Sequence, residues 1–168
     1  MAMNETLLAQ AFGIVTFAFL CGFWLLPGGV LALRRRAGGQ MQVDTRPGYS
    51  PDTLYRLLDL YGRDGIRWFR NMLLADMFFP AVYGAFLFLL GDLASVAHPA
   101  ARIVGAMGIA AACFDYGENI FLLHVLRRLP MRQEFAARAA GICTTLKTIS
   151  LVAALVALAT LSMSPAAH

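Results

Sequence analysis

Residues 111–124 read A-A-C-F-D-Y-G-E-N-I-F-L-L-H, an apolar helix-forming stretch that carries several polar side chains. Asp115, Glu118 and Asn119 stand at positions i, i+3 and i+4, so they share one helix face. His124 follows further along the same stretch. A charged side chain at the centre of a bilayer costs about 2.5 to 3.5 kcal/mol on insertion scales, and such residues therefore face a protein interior or a water-filled cavity. This stretch predicts a functional site inside a membrane-spanning helix.

The composition excludes an ordinary soluble domain. The 168 residues are 59% hydrophobic and 14% charged, whereas soluble domains have about 25% charged residues. Four apolar stretches reach the length of about 20 residues that crosses a hydrocarbon core, and they cover residues 7–33, 69–90, 103–126 and 139–163. We predict an all-α protein in which residues 1–168 form a single membrane domain, a polytopic transmembrane four-helix bundle.

Basic residues are unevenly distributed between the predicted loops. Of 14 Lys and Arg residues, eight fall between Arg34 and Arg70 and four between Arg127 and Arg138. By the positive-inside rule the first and third loops are cytoplasmic and both termini are outside. We therefore expect a multi-pass protein of the bacterial cytoplasmic (inner) membrane with periplasmic termini. No basic segment precedes the first apolar stretch, so we expect it to be retained rather than cleaved as a signal peptide.

The connection between the first two spans predicts a short amphipathic helix at about residues 51–61. Ser50 has the character of an N-cap and Pro51 that of a first helical residue. This helix either lies along the cytoplasmic membrane interface or packs on the cytoplasmic ends of the spans. We expect Gly62 and Gly65 to interrupt it, and Pro27-Gly28-Gly29 to kink or end the first span.

Ionisable residues in three predicted spans fall in the same half of the membrane. At about 1.5 Å of rise per residue from the nearest cytoplasmic arginine, Asp76 is about 9 Å deep, Glu118 and Lys147 about 13 Å, and Asp115 about 18 Å. We expect these four side chains to meet inside the bundle. Three acids against one lysine would leave a buried charge uncompensated, so we expect at least one carboxyl to take up a proton. Pro80 lacks an N–H and leaves the Asp76 carbonyl without its helical partner.

The predicted site combines acid–base groups with hydrogen-bonding groups. Its candidate catalytic residues are Asp76, Asp115 and Glu118, and its candidate ligand-binding residues are Tyr83, Asn119, Lys147 and His124. Such a site can perform acid–base chemistry, bind a cationic or hydroxylated amphiphile, or pass protons. The alternative is a polar network that only locks the helices together through contacts worth about 0.6 to 2 kcal/mol each.

We predict neither a metal nor another cofactor. A metal site built from the three acids and His124 is disfavoured because His124 lies nearly two turns from Glu118 and Lys147 would compete for the acids. The sequence contains three histidines, and His98 and His124 fall on opposite sides of the predicted membrane, which disfavours haem. Helix-turn-helix, zinc and RNA-binding patterns are missing, so the net charge of +4 is interpreted as a topology signal rather than a nucleic-acid surface.

Several motifs resemble known membrane proteins. Y-G-R-D-G at 61–65, D-M-F-F-P-A-V-Y at 76–83, D-Y-G-E-N at 115–119 and T-L-K at 145–147 resemble a group of small bacterial four-span membrane proteins. Trp68-Phe69, Asp76, Phe79-Pro80 and Tyr83 are similar to a second group, the emopamil-binding-protein and sigma-2-receptor type. That resemblance implies recognition of sterols or amphiphilic amines by acidic residues inside a bundle.

Three functions are compatible with these observations. The leading hypothesis is a pocket, open to the inner leaflet, that binds or modifies a membrane lipid or an amphiphilic small molecule. The alternative is a non-catalytic subunit or assembly factor of a larger membrane complex. Proton-coupled transport is disfavoured because four spans give a small pathway unless the protein oligomerises. Small residues such as Gly105 and Gly108 would permit a homo-oligomer.

Overall fold

The computed structural model of this chain describes residues 2–25, 29–46 and 48–163. These residues contain helices and turns and no strand, which confirms the all-α class. Short 3-10 turns lie at Val43–Thr45 and Pro99–Ala101. The α-helices are α1 (Ala2–Leu25), α2 (Val30–Arg36), α3 (Pro51–Asp76), α4 (Phe79–Ser95), α5 (Arg102–Arg128) and α6 (Glu134–Met163).

Four helical stretches are long and apolar enough to cross a membrane. They are Asn4–Arg36, Pro51–Ser95, Pro99–Arg128 and Glu134–Leu161, which confirms the predicted number of candidate spans and is the pattern of a multi-pass membrane protein. The helix ending predicted at Pro27-Gly28 lies outside the described residues, between α1 and α2. The predicted fourth span began at residue 139, whereas α6 already begins at Glu134.

The second span is broken in two. It consists of the second half of α3, which ends at Asp76, and of α4, which begins at Phe79. Pro80 lies in the first turn of α4, where its missing N–H is tolerated, although it would break the interior of a continuous helix. The break therefore follows directly after the acid that the sequence had singled out.

The start of α3 is fixed by local sequence and by packing. Ser50 is the N-cap, and its side chain accepts a hydrogen bond from the Thr53 backbone N–H at 3.3 Å. Gly62 interrupts the helix with φ 63° and ψ −175°, a conformation that is essentially restricted to glycine. Both features were predicted. The interruption also predicted at Gly65 is wrong, because Gly65 keeps helical geometry and is buried within α3. The residues before Gly62 bury an apolar face against α5 and α6, in a cluster that contains Leu54, Leu57, Leu58, Tyr61, Leu122, Val125, Ala137 and Ala140.

Ion pairs, a hydrogen bond and a cation–π contact connect the α5–α6 turn to the start of α3. The Arg132 guanidinium donates to Asp52 and to Glu134, and it stacks 4.5 Å from the centre of the Tyr55 ring. The Gln133 backbone N–H donates to the Tyr55 hydroxyl. The packing therefore matches the second placement considered for the helix at residues 51–61, on the ends of the spans.

Helix α5 is central and packs against both α4 and α6, while α1 packs on α4. The α4 and α5 backbones meet at glycines, because a Cβ on Gly91 would lie 2.7 Å from the Gly105 backbone nitrogen. Gly91 meets Gly105, whereas the earlier Gly84 meets the later Ala112. Residue numbers therefore rise along one helix as they fall along the other, and the two helices are antiparallel. Gly105, which we considered for a contact between copies of the chain, thus packs against a helix of its own chain.

We expect Gly91→Ala to lower the free energy of unfolding by about 1 to 3 kcal/mol, because the two backbones must separate to admit the methyl group. Gly117→Ala is the matched control. Its Cβ would lie within 4 Å only of the Cys143 Sγ, at 3.1 Å, and alanine gains up to about 1 kcal/mol in helix propensity. Denaturant titration in detergent measures both variants. Equal stability of the two would contradict the proposed backbone contact.

Candidate functional site

The centre of the site is an ion triplet between α5 and α6. The Lys147 Nζ lies 3.0 Å from the Asp115 Oδ1 and 2.6 Å from the Glu118 Oε2. The Asp115 and Glu118 side chains are 6% and 0% exposed, and the Lys147 side chain is 12% exposed. Both acids reach one ammonium because they stand three residues apart on the same helix face. The ammonium offsets the free-energy cost of burying the charged carboxylates of Asp115 and Glu118.

Two hydroxyl groups complete the coordination of these carboxylates. The Tyr83 hydroxyl of α4 donates to the Asp115 Oδ2 at 3.1 Å. The Thr144 hydroxyl of α6 lies 2.6 Å from the Glu118 Oε1 and 3.0 Å from the Ala140 carbonyl. Each carboxylate therefore has both oxygens in contact with a polar partner, one of which is Lys147.

The third acid joins the cluster through an amide. The Asn119 Nδ2 donates to the Asp76 Oδ2 at 2.7 Å, which connects α5 to the end of α3. Asn119 is 1% exposed, and within the described part of the chain its Oδ1 has no hydrogen-bond partner. An acceptor that is buried without a donor costs about 1 to 3 kcal/mol.

The structure brings together most of the residues that the sequence selected. Asp115, Glu118, Tyr83 and Lys147 form one network across α4, α5 and α6. The Asn119–Asp76 pair joins α5 to α3, and Asp76 lines the same cavity as Asp115 and Lys147. His124 does not join these residues, because it lies on an exposed face of α5. At 3.6 residues per turn, a position six residues after Glu118 is rotated by about 240° around the helix.

A small polar cavity adjoins this network. Its volume is about 160 Å³, which is room for roughly five water molecules at about 30 Å³ each. Asp76, Asp115 and Lys147 lie in its wall, whereas Glu118 does not. Residues from α1, α2, α3 and the connecting loop complete the wall, among them Phe23, Trp24, Val30, Thr45 and Met72.

A larger apolar groove lies next to the polar cavity, between α1 and the second half of α3. Its volume is about 550 Å³, within the range of about 300 to 1,000 Å³ typical of small-molecule sites. Phe23 and Met72 line both spaces, so the two are neighbours. Asn71 is the one side chain in the groove wall with hydrogen-bonding amide groups, and the wall also contains Ile14, Val15, Ala18, Phe19, Trp68 and Ala75.

The sequence did not reveal the contribution of α1 to the site. Trp24 lines the polar cavity, and Phe23 lines both spaces. The available signal was the i, i+4 spacing of Phe19 and Phe23. Both rings contact the Phe79 ring, with centroids 5.8 and 5.9 Å apart, beside the break between α3 and α4.

No protein-family model, curated protein or solved structure matches this chain. The resemblances to four-span membrane proteins therefore remain predictions. Within residues 2–25, 29–46 and 48–163, no group of three or more His, Cys, Asp or Glu side chains is arranged to hold a metal ion. The chemistry of the site must be argued from its carboxylates, its ammonium and its two neighbouring spaces.

We expect Lys147→Met to lower the free energy of unfolding by about 3 to 5 kcal/mol, because it leaves two buried carboxylates without their ammonium. Adding Glu118→Gln should recover part of that loss, with a coupling energy of about 1 kcal/mol or more in a double-mutant cycle. Arg138→Met, which removes an exposed cation from the same helix, is the control and should change stability by less than about 0.5 kcal/mol. Additive effects of the two site substitutions would argue against the ion pair.

Proposed function

We propose that this protein spans the bacterial inner membrane four times and binds or modifies a lipid-like or amphiphilic molecule in the paired polar cavity and apolar groove. The cavity wall contains three charged side chains among apolar ones, whereas the groove wall contains none, and the two spaces share Phe23 and Met72. That pairing carries the proposal, because a molecule with a polar group and an apolar body would satisfy both spaces at once.

Surface chemistry supports insertion into a membrane. Large apolar side chains are exposed along α1 and α6, including Ile14, Phe17, Ile149 and Leu155. A soluble protein rarely exposes extended apolar surface, whereas lipid stabilises such a surface. Exposed arginines occur at one end of the bundle, at the end of α2, the end of α5 and the start of α6, and the positive-inside rule assigns that end to the cytoplasm. The first half of α3 would then lie at the inner interface.

The polar cavity favours a ligand group that donates hydrogen bonds. Its wall contains two carboxyl groups, those of Asp76 and Asp115, and one ammonium, that of Lys147. A hydroxyl or amine group would therefore be better matched than a further anion. Asp76 and Asp115 are in the cavity wall, so they are the carboxyls positioned for proton transfer to or from such a group. Lys147 would supply the opposite charge.

Glu118 has a different role in this proposal. It is fully buried and bonded to Lys147 and Thr144, and it is not in the cavity wall. We assign it to holding Lys147 in place. Tyr83 and Asn119 would orient the two ligand-facing acids through their hydrogen bonds to Asp115 and Asp76.

Orientation can be tested by thiol labelling of intact cells. In a background with Cys21, Cys113 and Cys143 replaced by alanine, we expect Val96→Cys to react with a membrane-impermeant reagent applied from outside. Met131→Cys should react only after the cells are permeabilised. Both positions are well exposed. Failure of a cysteine to react therefore means that the membrane separates it from the reagent, not that it is buried in the protein. The reverse labelling pattern would overturn the proposed topology.

The ligand can be tested by native mass spectrometry of protein extracted into nanodiscs. We expect a discrete lipid or small-molecule adduct whose occupancy falls by about tenfold or more in Asp76→Asn, the scale of one hydrogen bond to a charged group. Asp92→Asn is the matched control, because Asp92 is an exposed acid on α4. Retention of a stoichiometric protein partner, with no adduct that depends on Asp76, would instead support the subunit hypothesis.

A further inference from the structure

An arginine stands beside the apolar groove at the basic end of the bundle. The Arg36 guanidinium lies 4.4 Å above the centre of the Trp68 ring, and Trp68 is in the groove wall. Its aliphatic stem runs over Gly65, since a Cβ there would lie 3.5 Å from the Arg36 Cδ. Arg36 therefore reaches from the end of α2 onto α3, which fixes an otherwise flexible side chain.

The stacked geometry leaves the donors of Arg36 available. A guanidinium that stacks on an aromatic ring uses its planar face, while its N–H groups remain in the plane as a fork that matches phosphate oxygens. The ion pairs among the described residues involve Arg132 and Lys147, not Arg36. Asp64, an exposed acid one helical turn before Trp68, is in none of them. Arg36 is thus an exposed, positioned cation next to an apolar groove.

The two polar regions near the groove select opposite charges. At about 1.5 Å per residue, Trp68 and Asp76 are separated by about 12 Å along α3. In the wall of the cavity near Asp76, two carboxyl groups outnumber the one Lys147 ammonium and disfavour an anion, whereas the region at Trp68 carries Arg36. An anionic headgroup would therefore be stabilised at Arg36 and excluded from the acidic cavity.

We infer that the occupant of the groove is an anionic phospholipid of the inner leaflet, with its phosphate on Arg36 and an acyl chain along the groove. This inference rests on the proposed function and names the class of lipid that the groove binds. The acidic cavity then contacts an uncharged, hydrogen-bonding part of the lipid rather than its phosphate. Arg36, through its stack on Trp68, would determine headgroup preference.

The experiment uses Trp68 as its own reporter. The chain has two tryptophans, so in a Trp24→Phe variant the fluorescence comes from Trp68 alone. The protein is reconstituted in phosphatidylcholine that contains a small fraction of lipid with brominated acyl chains, either phosphatidylglycerol or phosphatidylcholine. We expect brominated phosphatidylglycerol to quench Trp68 with an apparent affinity on the order of tenfold higher than brominated phosphatidylcholine, as for one charge-assisted contact.

The matched variants are Arg36→Gln and Arg35→Gln in the same background. Both remove one exposed positive charge from α2, but only Arg36 stacks on Trp68. We expect Arg36→Gln to abolish the preference for phosphatidylglycerol, Arg35→Gln to retain it, and Arg36→Lys to keep only part of it because the planar fork is lost. Equal quenching by the two lipids without any arginine substitution, or equal losses in the two glutamine variants, would overturn the inference.

Failure of this inference is distinguishable from failure of the proposed function. If Asp76→Asn removes the native adduct while Arg36→Gln keeps the lipid preference, the ligand site stands and the phosphate is wrongly placed. If no adduct depends on Asp76, the proposed function fails, whatever lipid quenches Trp68.

Discussion

A carboxylate inside a hydrocarbon layer must be compensated, and this requirement fixes the relation between α5 and α6. Lys147 reaches Asp115 at 3.0 Å and Glu118 at 2.6 Å, so a displacement of α6 by one turn, about 5.4 Å, would break both contacts. The hydroxyl of Tyr83 then ties α4 to the same point. Glycine contacts between α4 and α5 let the backbones approach. They define the register of two helices less strictly than a buried charge does, because the charge must lie next to its partner.

The network has two ends with different environments, so the structural and the ligand-binding interpretations apply to different residues. Glu118 is fully buried and makes its described contacts with Lys147 and Thr144. Asp76 lies at the end of a helix, is partly exposed, and faces a cavity. Buried polar contacts in membrane proteins contribute modest stability. That contribution is enough to explain the contacts of Glu118. It does not account for an acid at a cavity wall.

Simple arithmetic on the sequence predicted much of this cluster. The i, i+3, i+4 spacing placed Asp115, Glu118 and Asn119 on one face, and the depth estimates placed Lys147 and Asp76 in the same half of the membrane as that face. The same helical arithmetic would have separated His124 from that face. Which acid contacts Lys147 was not predictable, because rotation about each helix axis depends on packing between helices. The part played by α1 was equally hidden, since that helix is apolar on all sides and no polar pattern marks the face toward the site.

The break between α3 and α4 bears most directly on function. The Asn119–Asp76 hydrogen bond does not itself require a broken helix, because a continuous helix presents an aspartate equally well. The break instead exposes backbone polar groups at membrane depth, which is tolerated only where they are buried in protein or line a cavity. Here Met72, Asp76 and Phe79, on both sides of the break, line the polar cavity. The break therefore places an acid and the adjoining ends of both half-helices in the wall of one cavity.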